Sequence, residues 1–370
     1  MKTLFIGIGA AGNKAIMEAV SNKVCAVEDA IIVNSTEKDF PKEFTGQKII
    51  LSPQNTGCGK ERKVAKDYAL TAIKSGKFNV KEIGSYSTVV FVTSVEGGTG
   101  SGSTPIIAKF FKQVHKKNVH VVAFCGFQED VRGLGNTVEF FQEIDQELIV
   151  HTINNAAFLR EAGMNKFKAE SLANKEMCKR LTVLTGKDFV DSEQNIDDTD
   201  ILKVTNTVGY MTIEKANIIK SLIDQDDFNK LIRKMIMDSK SIKSNNPGAL
   251  RIGVILNVSP VTEDAIDYSF ADIKKAYGTP YEVFLQKQYD NATEYVAFII
   301  SGMQMPLEEI KAVYDTYKEQ TALVNKDSDD FFKEMQGISL EETDKRFDMI
   351  RPVQQCKSVD EFMKQFETGK

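Results

Sequence analysis

Histidine is scarce in this chain: His115, His120 and His151 are the only three among 370 residues. Zinc centres and histidine-based nucleophilic triads need imidazoles beside paired cysteines or a nucleophile. His115 and His120 are close enough in sequence to share a metal, but no cysteine pair accompanies them and His120 falls within an apolar strand, so neither chemistry is expected. The five cysteines (Cys25, Cys58, Cys125, Cys178 and Cys356) are scattered and odd in number, the pattern of reduced thiols rather than of a disulfide framework. No apolar run approaches the roughly 18–20 residues that span a bilayer. The start, Met1 to Gly9, is too short and glycine-rich for a secretory leader and enters a fold directly, so a cytoplasmic protein without a membrane partner is expected. Positive charge is not in excess either: a net charge of −5 and a pI near 5.5 argue against a direct grip on nucleic acid. No internal repeat is visible.

What is present begins with room for two full cores, at an ordinary globular composition of 42% apolar and 27% charged residues. The organising stretch is Glu96-Gly97-Gly98-Thr99-Gly100-Ser101-Gly102, after the apolar run Thr88 to Val95 and before a helical pattern starting near Ser103, with Pro105 in its first turn. Strand, glycine-rich turn and helix start together make a phosphate cradle. Glycines let backbone N–H groups approach an anion, the helix start adds unpaired N–H groups, and Thr99 and Ser101 add hydroxyls. The lysine of a P-loop is missing, and such a turn by itself is also compatible with no ligand.

Further stretches share this character. Thr3 to Ile8 leads through Gly7-Ile8-Gly9-Ala10-Ala11-Gly12-Asn13 into a helix, a G-x-G-x-x-G in the context of a dinucleotide fold, with Glu37 after the second strand, Ala30 to Val33, as the acidic partner that fold wants. Asn55 to Lys63 is a small cation-rich glycine loop before the helix Val64 to Lys74, and a solvated helix start is the alternative reading there. Strands alternate with helices to about residue 155, which implies a parallel sheet with ligands at the strands' carboxyl ends. Several loops aimed at one edge fit a shared polyphosphate better than one dinucleotide. A helix from about Lys166 towards Phe189 carries Asn174, either a base-reading amide or a surface residue. The acidic stretch Asp191 to Asp200 follows, either a cap for the next helix or a set of carboxylates able to orient a water. Ile213 to Asp238 reads as helix. Strands are expected at Leu250–Val258, Tyr281–Gln288 and Glu294–Ser301, in a mixed sheet of about four strands, with helices near Ala271–Tyr277 and over Leu307–Leu323.

In this order the motifs resemble the tubulin/FtsZ superfamily of GTPases over residues 1 to about 325. The superfamily's G-G-G-T-G-[ST]-G corresponds to Glu96–Gly102, with Glu96 in place of the leading glycine and so a carboxylate expected near the phosphates; its N-x-D-x-x-D corresponds to Asn195-Ile196-Asp197-Asp198-Thr199-Asp200. The resemblance implies an α/β chain with a Rossmann-like GTPase domain (1–165), a long central helix (166–194), an α+β activation domain with a mixed sheet (195–325) and a helical tail (326–370). It also implies GTP or GDP with Mg²⁺, and no metal held by the protein alone. Gly9, Ala10, Ala11, Gly12 and Asn13 would form the first nucleotide loop, and Gly57, Cys58, Gly59 and Lys60 would lie near the γ-phosphate. Gly97, Gly98, Thr99, Gly100, Ser101 and Gly102 would cradle the phosphates. Asn34 and Ser35 would approach phosphate or ribose, Asn154 and Asn155 the ribose, and Asn174 the guanine edge. Glu129 and Arg132 occupy the loop where FtsZ carries a Glu and an Arg, at a different spacing. Asn195, Asp197 and Asp200 would serve catalysis.

Gly57-Cys58-Gly59-Lys60-Glu61-Arg62-Lys63 resembles the plasmid and phage tubulins of TubZ type rather than FtsZ. The implied function is a GTPase activated by polymerisation into head-to-tail filaments that segregate plasmid or phage DNA through a DNA-binding adaptor on the tail. From Asn325 that tail carries eight Lys and Arg against eleven Asp and Glu. An FtsZ-like division-ring protein is the alternative, and an NAD(P)-binding oxidoreductase built on Gly7–Gly12 is the remote one.

Overall fold

The computed structural model describes residues 2–80, 82–187, 189–190, 198–219, 222–290, 293–324 and the separate positions 359, 363 and 364. The first half runs β1 (Thr3–Ile8), α1 (Gly9–Ser21), β2 (Ala30–Asn34), β3 (Gln47–Ile50), α2 (Arg62–Lys74), β4 (Thr88–Ser94), α3 (Gly98–Gln113), β5 (Asn118–Cys125), α4 (Val131–Glu143) and β6 (Ile149–Asn154). Then come α5 (Lys166–Leu184), α6 (Asp198–Thr205), β7 (Gly209–Asn217), α7 (Gln225–Met237), β8 (Arg251–Asn257), α8 (Pro260–Glu263), α9 (Ala271–Tyr277), β9 (Glu282–Gln288), β10 (Tyr295–Met303) and α10 (Leu307–Val324). The strands join in one sheet, ordered β3-β2-β1-β4-β5-β6-β7-β10-β8-β9. The first six are parallel, and the two halves meet where Ile149 and Val150 of β6 pair with Gly209 and Tyr210 of β7. Beyond that joint β10 runs antiparallel to both β7 and β8, while β8 and β9 are parallel, which gives the expected mixed sheet.

Helices cover both faces. Along β1, Leu4, Ile6 and Ile8 join Ile73 of α2 and Phe110 of α3 in one core, while Phe5 turns to the other face with Ile16 of α1 and Met177 of α5. This alternation follows from the two-residue period of a strand. Burial on both faces explains the long apolar runs read in the sequence. One segment is misread: residues 213–217, expected to be helical, are the end of β7 (Gly209–Asn217), the fourth strand of the mixed sheet, whose first six residues are buried. Met211-Thr212-Ile213-Glu214 does alternate, but Glu214-Lys215-Ala216 are good helix formers, and Thr212 and Glu214 are buried against Arg180, Ser239 and Ser241 rather than turned to solvent. The helical pattern holds only for Gln225–Met237. Among the described residues no helix is long and apolar enough to cross a membrane.

Two polar features lie inside. His120 Nδ1 and His151 Nε2 are 3.0 Å apart on neighbouring strands, both rings buried, so His120 partners another imidazole rather than a metal. Burial holds both neutral, with His120 pushed down to about 3. Under α5, the buried Arg180 donates to Glu176 (2.9 Å), to the Thr152 carbonyl of β6 (3.2 Å), to Ser241 (2.7 Å) and to Glu214 of β7 (3.4 Å). Glu214 also accepts from Thr212 at 2.9 Å and Ser239 at 2.5 Å. One guanidinium thus ties the central helix to both halves of the sheet.

Candidate nucleotide site

The carboxyl ends of β1, β3 and β4 deliver three glycine-bearing segments to one edge, and their contacts show how closely they are fitted. A Cβ on Gly9, whose φ is +77°, would lie 3.1 Å from the Gly100 nitrogen. A Cβ on Gly98 would lie 2.6 Å from Lys60 Cα, one on Gly12 would lie 2.1 Å from the Val92 carbonyl oxygen, and one on Gly102 would lie 2.6 Å from the Arg62 carbonyl oxygen. These glycines are therefore required by close packing of backbone on backbone. Gly57, Gly59 and Gly97 differ, because a Cβ on any of them would meet nothing within 4 Å. They border the open side of the edge.

Helix starts point to what that open side receives. α1, α2 and α3 begin with no side-chain cap, whereas Asp130, Asn165 and Asp224 cap α4, α5 and α7. The short α9 is also uncapped. An uncapped helix start leaves N–H groups and a partial positive charge available to an anion. The glycine motif proves to be the first turn of α3, since the helix begins at Gly98 and not near Ser103, which puts Pro105 inside it. Proline cannot donate to the carbonyl four residues back, that of Ser101. Arg62 Nη2 takes that carbonyl instead, at 3.0 Å. The same guanidinium, 4% exposed, binds Glu139 and Glu143 of α4 at 2.6 Å each. Arg62 thus joins α2, α3 and α4 behind the motif. In the sequence it was one of four charges in a row, with no sign that it alone turns inward.

The remaining candidate residues sort by what they touch. Asn13 is buried, its Oδ1 accepting from Val33 N at 3.2 Å. Asn34 accepts from Ser35 N at 2.8 Å, and Ser35 Oγ lies 3.0 Å from Thr99 Oγ1, which donates to Cys58 Sγ at 3.5 Å. Among the described residues the Nδ2 groups of Asn13 and Asn34 and the Oδ1 of Asn155 are buried without a partner. Ala10 and Ala11 are exposed in the first turn of α1. Ser101 Oγ turns back to the Gly97 carbonyl. Asn154 caps the turn after β6 through Ala156 N, and Asn174 is half-buried on α5.

Lys60 Nζ is held 2.5 Å from Asp130 Oδ2, a bond that keeps the Asp130 carboxyl below its usual range, helped by Gly133 N–H. Arg132 pairs with Glu61 at 2.7 Å, and Glu129 pairs with Lys166. Asn136 of α4, which nothing in the sequence marked, donates to the carbonyls of Lys60 (3.1 Å) and Glu96 (2.9 Å) and so braces two of the loops. Glu96 does not face the cradle as expected. Its carboxylate accepts from Gln128 N at 2.8 Å, against Gly126. Burial raises its pKa, offset in part by the Gln128 N–H and reinforced by the charges of Glu129 and Asp130. Of the acidic motif, Asp200 lies in the first turn of α6, 2.8 Å from Lys203 Nζ. Asn195 and Asp197 lie outside the described residues.

A family model described as the GTPase domain of the tubulin/FtsZ family matches residues 2–162, the part of the chain that carries these loops. Residues 2–162, less than half of the chain, are thus similar to a tubulin/FtsZ-family GTPase domain. That likeness favours a GTPase site over the dinucleotide reading of Gly7–Gly12. The tubulin-like protein TubZ of Clostridium botulinum C phage is 27% identical over 249 residues, a match spanning 64% of this chain and 64% of TubZ, less than two thirds of that relative's length. The crystal structure of C. botulinum phage c-st TubZ has the same fold, with a TM-score of 0.67 at 20% identity over 86% of this chain and 99% of that one. CetZ2 from Haloferax volcanii, solved as a GTPγS-bound protofilament, gives a TM-score of 0.69 at 18% identity over 87% and 99%.

Proposed function

We propose that this chain binds GTP at the glycine-loop edge and assembles head to tail into filaments that hydrolyse it to GDP and phosphate. The observation that carries the reading is the convergence of three uncapped helix starts beside the buried, unpartnered amide groups of Asn13 and Asn34. Backbone N–H groups of Gly9–Asn13 and Gly97–Gly102 would bind the phosphates, with Gly57–Lys60 near the γ-phosphate, Asn34, Ser35, Asn154 and Asn155 towards phosphate and ribose, and Asn174 at the guanine. The GTPγS-bound protofilament of CetZ2 supports both the ligand and the assembly.

Among the described residues no set of three His, Cys, Asp or Glu side chains is placed to hold a metal. Ser35 and Thr99, whose hydroxyls lie 3.0 Å apart, would be the side chains beside the Mg²⁺ expected with GTP, and the ion would supply charge neutralisation on the transferred group.

One subunit would hold the nucleotide, and Asn195, Asp197 and Asp200 of the next would orient and polarise the attacking water. A heterologous contact of this kind does not close and so builds a filament. Positioned acid–base groups contribute about 10²–10⁴-fold, so Asp197→Ala should bind GTP, assemble, and lose turnover by about that factor, leaving long static filaments by electron microscopy. Rapid disassembly of that variant in GTP would contradict the assignment. We further propose a cytoplasmic role in segregating plasmid or phage DNA through a DNA-binding adaptor on the tail, in keeping with the phage source of the similar TubZ.

A further inference from the structure

The approach to the acidic motif is held by two side chains that the proposed chemistry does not use. α5 ends at Leu184, and Gly186, with a φ of +66°, turns the chain away. The next described residues are Phe189 and Val190. Val190 N donates to Gln288 Oε1 at 3.2 Å, and the Val190 carbonyl accepts from Gln286 Nε2 at 3.3 Å. The two amides are bonded to each other at 3.2 Å, and Gln288 Nε2 donates onward to the Tyr295 hydroxyl at 3.1 Å. Gln286 and Gln288 sit two apart on β9 and so on one face, each 2% exposed.

Burying two primary amides is costly unless they are bonded. Here they present a donor and an acceptor to the backbone C=O and N–H of one residue, as a neighbouring strand would, and these side chains tie Val190 to the edge strand of the sheet. Phe189, beside it, lines a small apolar cavity with Ile201 and Val204 of α6 and with Gly253, Ile255 and Ile299 of the sheet. The fixed peptide, the Phe189 ring and the buried side of α6 therefore form one packed unit, and Asp200 lies one residue before Ile201 on that helix.

We propose that Gln286 and Gln288 are positioning residues for the acidic motif: by clamping Val190 they hold Phe189 under α6 and fix where Asp200 is presented. The inference rests on the catalytic reading of Asp200 given above. Its test is GTP turnover of assembled protein alongside guanine-nucleotide affinity for Gln286→Met, Gln288→Met and the double variant, with Asp200→Ala in parallel. The expected result is a turnover per assembled subunit at least tenfold lower, with nucleotide affinity and the urea midpoint close to native. Turnover at the native level, or turnover, affinity and midpoint falling together, would overturn the clamp and leave a structural role.

Val190→Pro removes the N–H that Gln288 receives without touching β9, and it should reproduce the loss even if the glutamine variants fold poorly. If Asp200→Ala alone loses turnover, the clamp fails and the catalytic reading stands. If Asp200→Ala keeps native turnover, the catalytic reading itself fails.

Discussion

At the glycine-loop edge three helices start without side-chain caps and the amides of Asn13 and Asn34 are buried without partners, whereas under α5 Arg180, Glu214, Thr152, Thr212, Ser239 and Ser241 are all bonded to one another or to backbone. Both regions are polar and both lie against the same sheet. A buried polar group without a partner costs free energy, so the first arrangement makes sense as the receptor for something absent from the chain, and the second as scaffold. Satisfaction of hydrogen bonds, more than polarity, separates these two regions.

Substitutions can break that contrast. The largest effect should come from the scaffold. Arg180→Met leaves Glu214 buried without its cation and should cost about 3–5 kcal/mol in a urea titration, with the nucleotide affinity of the folded fraction unchanged. Next come two glycines of a single motif. A Cβ on Gly100 would lie 2.3 Å from Thr93 Oγ1 and 2.9 Å from the Ser94 carbonyl oxygen, so Gly100→Ala should cost about 1–3 kcal/mol through overpacking. Gly97→Ala projects into open space; its stability should stay within about 0.5 kcal/mol of native while guanine-nucleotide affinity falls tenfold or more. Equal behaviour of the two glycines would erase the distinction between packed and ligand-facing positions.

The last contrast emerges only as pH falls. His120 stays neutral in the fold down to about pH 3, while the unfolded chain takes up a proton below roughly 6.5. Lowering pH therefore favours unfolding: between pH 6.5 and 5 the native chain should lose about 2 kcal/mol more than His120→Leu. Parallel stability curves for the two would contradict a neutral buried pair.

The same contrast explains what the sequence could and could not disclose. Glycine-rich turns after apolar strands were legible because backbone that packs on backbone, or faces a phosphate, restricts the residue type at each position. β1, β2, β4 and β5 were legible for the same reason of restriction, as apolar runs between turns. β7 was not, because its second half, Glu214-Lys215-Ala216, has helix-forming residues and its polar face is buried on partners distant in sequence, and β3 is a four-residue edge strand with little pattern to read. Arg62, Asn136, Gln286 and Gln288 were invisible because their roles depend on partners distant in sequence: Glu139 and Glu143 for Arg62, the carbonyls of Lys60 and Glu96 for Asn136, and Val190 for the two glutamines. Pro105 was seen, but its consequence was not; moving the start of α3 back to Gly98 is what gives the Ser101 carbonyl its need for Arg62.

The central claim is that nucleotide chemistry is completed between subunits at the glycine-loop edge. The most direct test is light scattering recorded together with phosphate release, after addition of GTP and Mg²⁺ across a series of protein concentrations. A site completed between subunits requires a threshold concentration below which both signals are near zero and above which phosphate release tracks polymer. Release proportional to protein at every concentration, without scattering, would show that a single chain completes the site and would rule out completion between subunits.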